Sequence, residues 1–398
     1  MSNEEVVGGK TKDEIKSIDL FVTEQCNMNC DYCFHPKGEA VLSVDQGKKI
    51  LARMKELSPA ALQITFFGGE PLLYPQTVLD LAQYARELWP VDKDGRHTST
   101  FSISTNGMFF DEGVFKKFAE LGMAIQVSCD GDEITHTEYR HGDYKRIIEN
   151  MKKILAIKPD MSVRMTFTPK TVGRLAINVQ YLHELGVTKI MHHAVMEEDW
   201  TDEAVEQYRY QLGQIYHYRR YCKRQGIPLE IAFIDKPLRI VNDEAPPEKE
   251  YCQAGKSYIA ILDNGDVYPC HRAASARIFK LGNIFQERPF IRGIFLNIDK
   301  EYTGCWKNCP HARTCHSCVI THYKVNQELT VPVTKYCRIC AVESEQASGF
   351  LPVELSDRRE RMLYKVGQVL VDVAKQNEEI LEELKKIRRY GNGKSYEP

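Results

Sequence analysis

The chain reads as an α/β protein: a mostly parallel sheet with helical crossovers, then a smaller cysteine-rich domain and a C-terminal helix. Three observations carry this reading. Short β-type runs alternate six times with helical segments between residue 17 and about residue 225. Eight cysteines then crowd into residues 252–340. Residues 356–389 close the chain with an apolar stripe of helical period. Repeated strand–helix alternation argues for parallel strands joined by crossover helices, a (β/α)6 arrangement.

Each element follows in order. The predicted strands are SIDLFVTE (17–24), LQITFFG (62–68), STFSIST (99–105), AIQVSCD (124–130), SVRMTFT (162–168) and KIMHHAV (189–195). Amphipathic segments lie between them, such as 44–57 and 144–157. Residues 201–226 read as a long polar helix, and 242–250 as a linker rich in proline and acid. The expected division is a polar tail (1–16), the α/β region (17–240), the cysteine-rich domain (241–350) and the terminal helix with its tail (351–398). In that helix Met362, Val366, Val369, Leu370, Val373, Ile380, Leu381 and Leu384 form a packing stripe.

Composition narrows the function. Of 398 residues, 43% are apolar, enough for a large core. Lys and Arg number 53 against 55 Asp and Glu, so the basic excess of a nucleic-acid binder is missing. No apolar run reaches the length of a membrane span, and the polar, acidic N-terminus is no signal peptide. The expected location is cytoplasmic. Disulfides are rare there, so the 13 cysteines point to metal or redox chemistry. Cys129 and Cys222 stand apart from the clusters and read as ordinary thiols.

The first cluster is TEQCNMNCDYCFHP, with Cys26, Cys30 and Cys33 spaced CxxxCxxC directly after a strand. Soft thiolates suit iron–sulfur clusters or zinc. Three ligands leave a coordination position open, which suits a substrate or cofactor. The competing reading is a zinc knuckle completed by His35. With Tyr32 before the last cysteine, the motif resembles the signature of the radical S-adenosylmethionine (SAM) superfamily. The resemblance implies a partial TIM-like barrel, a [4Fe–4S] cluster on Cys26, Cys30 and Cys33, and SAM as cofactor. It also implies reductive cleavage of SAM to a 5′-deoxyadenosyl radical that removes a hydrogen atom from a substrate carbon.

The later strand ends extend the resemblance. Gly68-Gly69-Glu70-Pro71 after the second strand resembles the motif that holds the methionyl amine of SAM, with Glu70 as an acceptor for the ammonium. STNG (104–107) and SCDG (128–131) close the next two strands. By resemblance, Ser104, Asn106, Ser128 and Asp130 bind the ribose and carboxylate of SAM, and Arg140 meets the carboxylate through its guanidinium fork. Tyr32 and Phe34 are candidates to flank the adenine or to pack in the core.

The second cluster begins with Cys252 and Cys270 in the pattern C-x12-G-x4-C. Cys305, Cys309, Cys315 and Cys318 follow, then the pair Cys337 and Cys340. This resembles the SPASM extension of radical SAM enzymes, which carries two auxiliary iron–sulfur clusters. Two departures stand out: the middle motif is C-x3-C-x5-C-x2-C, and the end is a CxxC pair. By analogy Cys252, Cys270 and Cys318 ligate the nearer auxiliary [4Fe–4S] cluster. Cys305, Cys309, Cys315 and one of Cys337 or Cys340 ligate the farther one. Spacing leaves the last assignment open, and structural zinc sites remain the alternative.

SPASM enzymes mostly act on peptides or proteins. The resemblance therefore implies a ribosomally made precursor peptide as substrate and an electron donor such as flavodoxin or ferredoxin. The alternative is an anaerobic sulfatase-maturating enzyme forming formylglycine. That group places an aspartate after the second SPASM cysteine, whereas Cys270 is followed by His271, a weaker base candidate. The strand pattern opens near residue 17, so the peptide is expected either to dock on the barrel rim and the SPASM region or to be delivered by a separate leader-peptide-binding protein.

Overall fold

The computed structural model describes residues 15–35, 37–245, 253–291, 295 and 308–350. All six predicted strands form: β1 (Ser17–Thr23), β2 (Leu62–Gly68), β3 (Ser99–Thr105), β4 (Ala124–Ser128), β5 (Ser162–Phe167) and β6 (Lys189–Ala194). They lie side by side in sequence order, every neighbouring pair parallel. A short β7 (Glu230–Ile231) adds to β6.

The other edge was not legible as part of this sheet. β8 (Tyr258–Ile261) pairs parallel with β1, placing Ile259 beside Ile18 and Ile261 beside Leu20. β9 (Asp266–Tyr268) and β10 (Gly282–Asn283) continue antiparallel, giving a ten-stranded sheet. The DNGD turn expected between two β-type runs thus links β8 to β9. An edge strand presents unpaired backbone groups. The apolar run YIAIL supplies β1 with its missing partner, so the sheet crosses the expected boundary near residue 240.

Crossover helices cover one face: α1 (Val44–Leu57), α2 (Pro75–Leu88), α3 (Glu112–Glu120), α4 (Glu133–Tyr139), α5 (Tyr144–Ile157) and α6 (Leu175–Glu184). Ser43, Asp111, Asp132 and Asp143 cap α1, α3, α4 and α5 by accepting from first-turn N–H groups. Side chains alternate along the strands. Ile64, Phe66, Phe101, Ile103, Val127, Val163 and Met165 are fully buried. Their neighbours Phe67, Ser104, Ser128, Arg164, Thr166, Met191 and His193 are half-buried and share the opposite face. That second face carries the polar chemistry.

The predicted polar helix is α7 (Asp202–Gln225), stopped at Gly226 in the left-handed region. α8 (Ala232–Val241) and α9 (Val319–Asn326) follow. The chain is helical again over 334–350. Residues through Gln346 form one compact unit and a second begins at Ala347. Linker residues 246–250, Cys252, Cys305 and the terminal stripe from Met362 to Leu384 lie outside the described residues. Among those described, no helix is long and apolar enough to cross a membrane.

Candidate active site and cluster ligands

The loop after β1 brings Cys26, Cys30 and Cys33 together. Each thiol lies close enough to feel the charge of another. Cys26 and Cys30 are half-buried and Cys33 is exposed. The Cys26 sulfur accepts from the Met28 N–H at 3.4 Å and the Asn106 amide at 3.8 Å. His35 does not join them. Its imidazole packs against Phe21, Phe34 and Phe67, and burial lowers its pKa to about 3. A zinc knuckle completed by His35 does not fit this placement.

The glycine pair at the end of β2 is pressed against this loop. Gly69 N–H donates to Thr23 O, and Glu70 N–H to Gln25 O, both at 2.8 Å. Gly68 has φ +134°, and a Cβ there would stand 2.2 Å from Thr23 O. A Cβ on Gly69 would stand 2.2 Å from Gln25 O. Only glycine permits this approach.

Glu70 is engaged within the chain. Its carboxylate accepts from Leu72 N–H (3.0 Å), Thr105 hydroxyl (2.8 Å) and Asn106 N–H (2.7 Å), and its exposure is 1%. Those bonds tie the end of β2 to the end of β3. Burial pushes the carboxyl up to about 7, against the pull of the three donors. Asn106, fixed by this contact, turns its amide to Asn27 at 2.7 Å and toward Cys26.

At the end of β4, Asp130 gathers the next group. It accepts from Tyr32 hydroxyl, from Arg140 Nε at 2.8 Å and from Thr166 N–H at 2.7 Å. Arg140 lies over the Tyr32 ring and also reaches Thr166. Both Asp130 and Arg140 are buried, and Cys30 lies within reach of their charges. Tyr32 thus anchors the cysteine loop to the strand end, and Arg140 is already paired. Ser104 and Ser128 are half-buried, and their hydroxyls make no hydrogen bond to a described residue. Phe34 faces the other way, with Arg272 and Lys324 over its ring.

This arrangement fits an iron–sulfur cluster with SAM. Three convergent thiols fall one short of a closed shell, the Gly68–Gly69 backbone is free of side chains, and two hydroxyls stand unengaged at adjacent strand ends. Bound there, the pair supplies one-electron chemistry and a primary carbon radical.

A second space opens beyond the strands, a chamber of about 450 Å³. Arg164, Met191 and His193 line it from the sheet, and Cys270, His271 and Cys318 from the cysteine-rich region. His271 Nδ1 lies 2.7 Å from both Asp19 Oδ2 and the Tyr258 hydroxyl, and Tyr258 also donates to Asp19. The sulfurs of Cys315 and Cys340 are hydrogen-bonded neighbours, which places Cys340 of the late pair at Cys315. Cys309 and Cys337 are half-buried nearby in sequence. His316 and Glu343 add donors within 4.8 Å of Cys340. Sequence reading passed over Asp19, Arg164, Tyr258, His316 and Glu343. The available signal was a charged residue inside an apolar strand, as in IDLFV and SVRMTF.

Comparison with known proteins agrees with this geometry. Residues 20–172 match the model of the radical SAM superfamily, and 252–319 match the SPASM iron–sulfur cluster-binding domain. A cysteine-type anaerobic sulfatase-maturating enzyme of Clostridium novyi is 23% identical over 334 residues, 76% of this chain and 86% of that protein. The structure of anSMEcpe with bound SAM has 16% identity and a TM-score of 0.70, covering 86% of this chain and 99% of that one. SuiB of Streptococcus suis bound to precursor peptide SuiA has 17% identity and a TM-score of 0.54, covering 78% of this chain and 73% of that one. The chain belongs to the radical SAM superfamily, as an enzyme with a SPASM domain that uses SAM, a [4Fe–4S] cluster and auxiliary iron–sulfur clusters.

Proposed function

We propose that this enzyme abstracts a hydrogen atom from a ribosomally made precursor peptide and installs a crosslink, an epimerised residue or a backbone excision. The chamber carries the reading. Its volume suits a side chain with flanking backbone, and it opens on both the sheet interior and the thiols of Cys270 and Cys318. SuiB, of related fold, is a protein bound to a precursor peptide.

In this reading Cys26, Cys30 and Cys33 hold the SAM-binding cluster. Gly68, Gly69, Ser104, Asn106 and Ser128 surround SAM, while Glu70, Tyr32, Asp130 and Arg140 hold that pocket in shape. Cys252, Cys270 and Cys318 belong to one auxiliary cluster; Cys305, Cys309, Cys315 and Cys340 belong to the other. His271 takes a substrate proton at Nε2 while Asp19 and Tyr258 fix its Nδ1. A ferredoxin or flavodoxin supplies the electron.

Formylglycine formation is the second reading, favoured by one contact. The carboxylate missing after Cys270 is supplied from β1 by Asp19, against His271. The test offers the reconstituted enzyme, with SAM and reductant, the peptides encoded beside its gene and a sulfatase-derived peptide. Mass loss of hydrogen or of a backbone fragment from a neighbouring peptide supports the first reading. Formylglycine on the sulfatase peptide alone replaces it with the second.

A further inference from the structure

The chamber contains an arginine that neither the SAM pocket nor the cysteine sites use. Arg164 stands on β5, in register with Ser128 of β4 and Met191 of β6, on the half-buried inner face. Its guanidinium has no hydrogen bond or ion pair with a described residue. Other sequestered arginines do: Arg140 is held by Asp130, and Arg86 by the carbonyls of Ser99 and Leu121. The chamber wall adds Lys236, Arg272 and the imidazoles of His193, His271 and His316, and among the described residues no carboxylate. Burial and the neighbouring guanidinium groups of Arg272 and Arg140 lower the pKa of Arg164 to about 10. A chamber walled this way favours an anion.

Two other arginines neighbour this one, one beside each cysteine region. Arg140 stands beside the first cysteine loop, ion-paired with Asp130 and within reach of Cys30. Arg272 stands beside the later cysteines, bonds Glu197 and Thr321 and feels the charges of Cys318 and Cys270. Arg164 lies between them. Besides burial, it feels the charges of Arg272 and Arg140 and of Asp19 and Tyr258. Asp19 is spent on Tyr258 and His271.

We propose that Arg164 binds a carboxylate of the substrate, so that the enzyme selects an acidic side chain or a free chain terminus beside the reacting carbon. The peptide part of this statement rests on the function proposed above; the carboxylate part does not. A planar fork of donors suits a carboxylate bidentately.

The test uses enzyme reconstituted with iron, sulfide and SAM, titrated anaerobically by calorimetry. The first probes are glutarate and its diamide. The next are a capped tripeptide with central glutamate, its glutamine counterpart, and the glutamine peptide with a free C-terminal carboxylate. Glutarate should bind about tenfold or more tighter than the diamide, as a charge-assisted pair requires. Arg164→Gln should abolish that preference, Arg164→Lys should keep part of it, and SAM affinity should not change. Whichever tripeptide gains the same preference names the source of the carboxylate. If glutarate binds through Arg164 but no tripeptide binds, the anion site stands and the peptide reading falls. The proposal is overturned by equal binding of glutarate and diamide. It is also overturned by a preference that survives Arg164→Gln, or by inorganic phosphate displacing glutarate where acetate does not. Loss of SAM affinity in both folded variants would assign Arg164 to the SAM pocket instead.

Discussion

Asp19 Oδ2 lies 2.7 Å from His271 Nδ1, so a carboxylate on the first strand holds the imidazole that follows Cys270. Asp19 is 5% exposed, in the middle of an apolar strand. A buried carboxylate is costly unless hydrogen-bonded. Here Tyr258 and His271 supply the bonds and are themselves oriented by it.

His271→Gln should lower product formation by roughly 10²- to 10⁴-fold, the usual contribution of a positioned base. 5′-Deoxyadenosine production should persist, because the thiols of Cys26, Cys30 and Cys33 are untouched. Asp19→Asn should lower product formation less. Parallel assays of product and 5′-deoxyadenosine decide this. Equal loss of both in His271→Gln would make the residue structural.

Replacing Cys26, Cys30 and Cys33 together with alanine should remove about four irons per chain and all SAM cleavage. The remaining iron should stay, because the thiols of the C-terminal region are supplied by other segments. Iron and sulfide analysis, with electron paramagnetic resonance, checks both halves. Normal SAM cleavage by the triple variant would refute the assignment of the loop. Native protein carrying zinc and only about four irons would make the later cysteines zinc ligands.

How much was legible beforehand follows from what sets each feature. The strands β1 to β6 and helices α1 and α5 were readable because local period fixes them: alternating burial in LQITFFG, three-to-four spacing in YKRIIENMKKILAI. The pairing of β8 with β1 was not, since a four-residue run does not declare its partner across more than 200 positions. Cysteine spacing pointed to candidate ligands because thiolates have few other uses together. For Glu70 and Arg140 residue type went only part of the way. Residue type told what each can bind, but not that Thr105, Asn106 and Asp130 would bind them first.

The Asp130–Arg140 pair gives a sharp test of that distinction. The two side chains are 2% and 7% exposed. Breaking a buried pair strands the other charge, at a cost of about 3–5 kcal/mol. Asp130→Asn should therefore lower the urea midpoint strongly and weaken SAM binding together. Tyr32→Phe, which removes one donor to the same carboxylate, should cost only about 1.5–3 kcal/mol and leave the iron content unchanged. An Asp130→Asn protein of normal stability that fails only in SAM binding would show a direct ligand role.

Glu70 separates two opposing forces by pH. Burial raises its carboxyl from an ordinary 4.5 to about 7, while Leu72 N–H, Thr105 hydroxyl and Asn106 N–H pull it down. If burial wins, the folded chain holds a proton that the unfolded chain has already released between those values. The stability contributed by the protonated group is then full below about 4.5 and lost as pH rises through about 7. Glu70→Gln removes the titration. The replacement also turns an amide donor toward existing donors, so it should be less stable than wild type by about 1–3 kcal/mol. The wild-type advantage should shrink between pH 5.5 and 8, at up to about 1.4 kcal/mol per pH unit. Urea midpoints of both proteins at those two pH values measure it. An advantage that grows with pH would mean that the three donors win, and that Glu70 is an ionised clamp between the ends of β2 and β3.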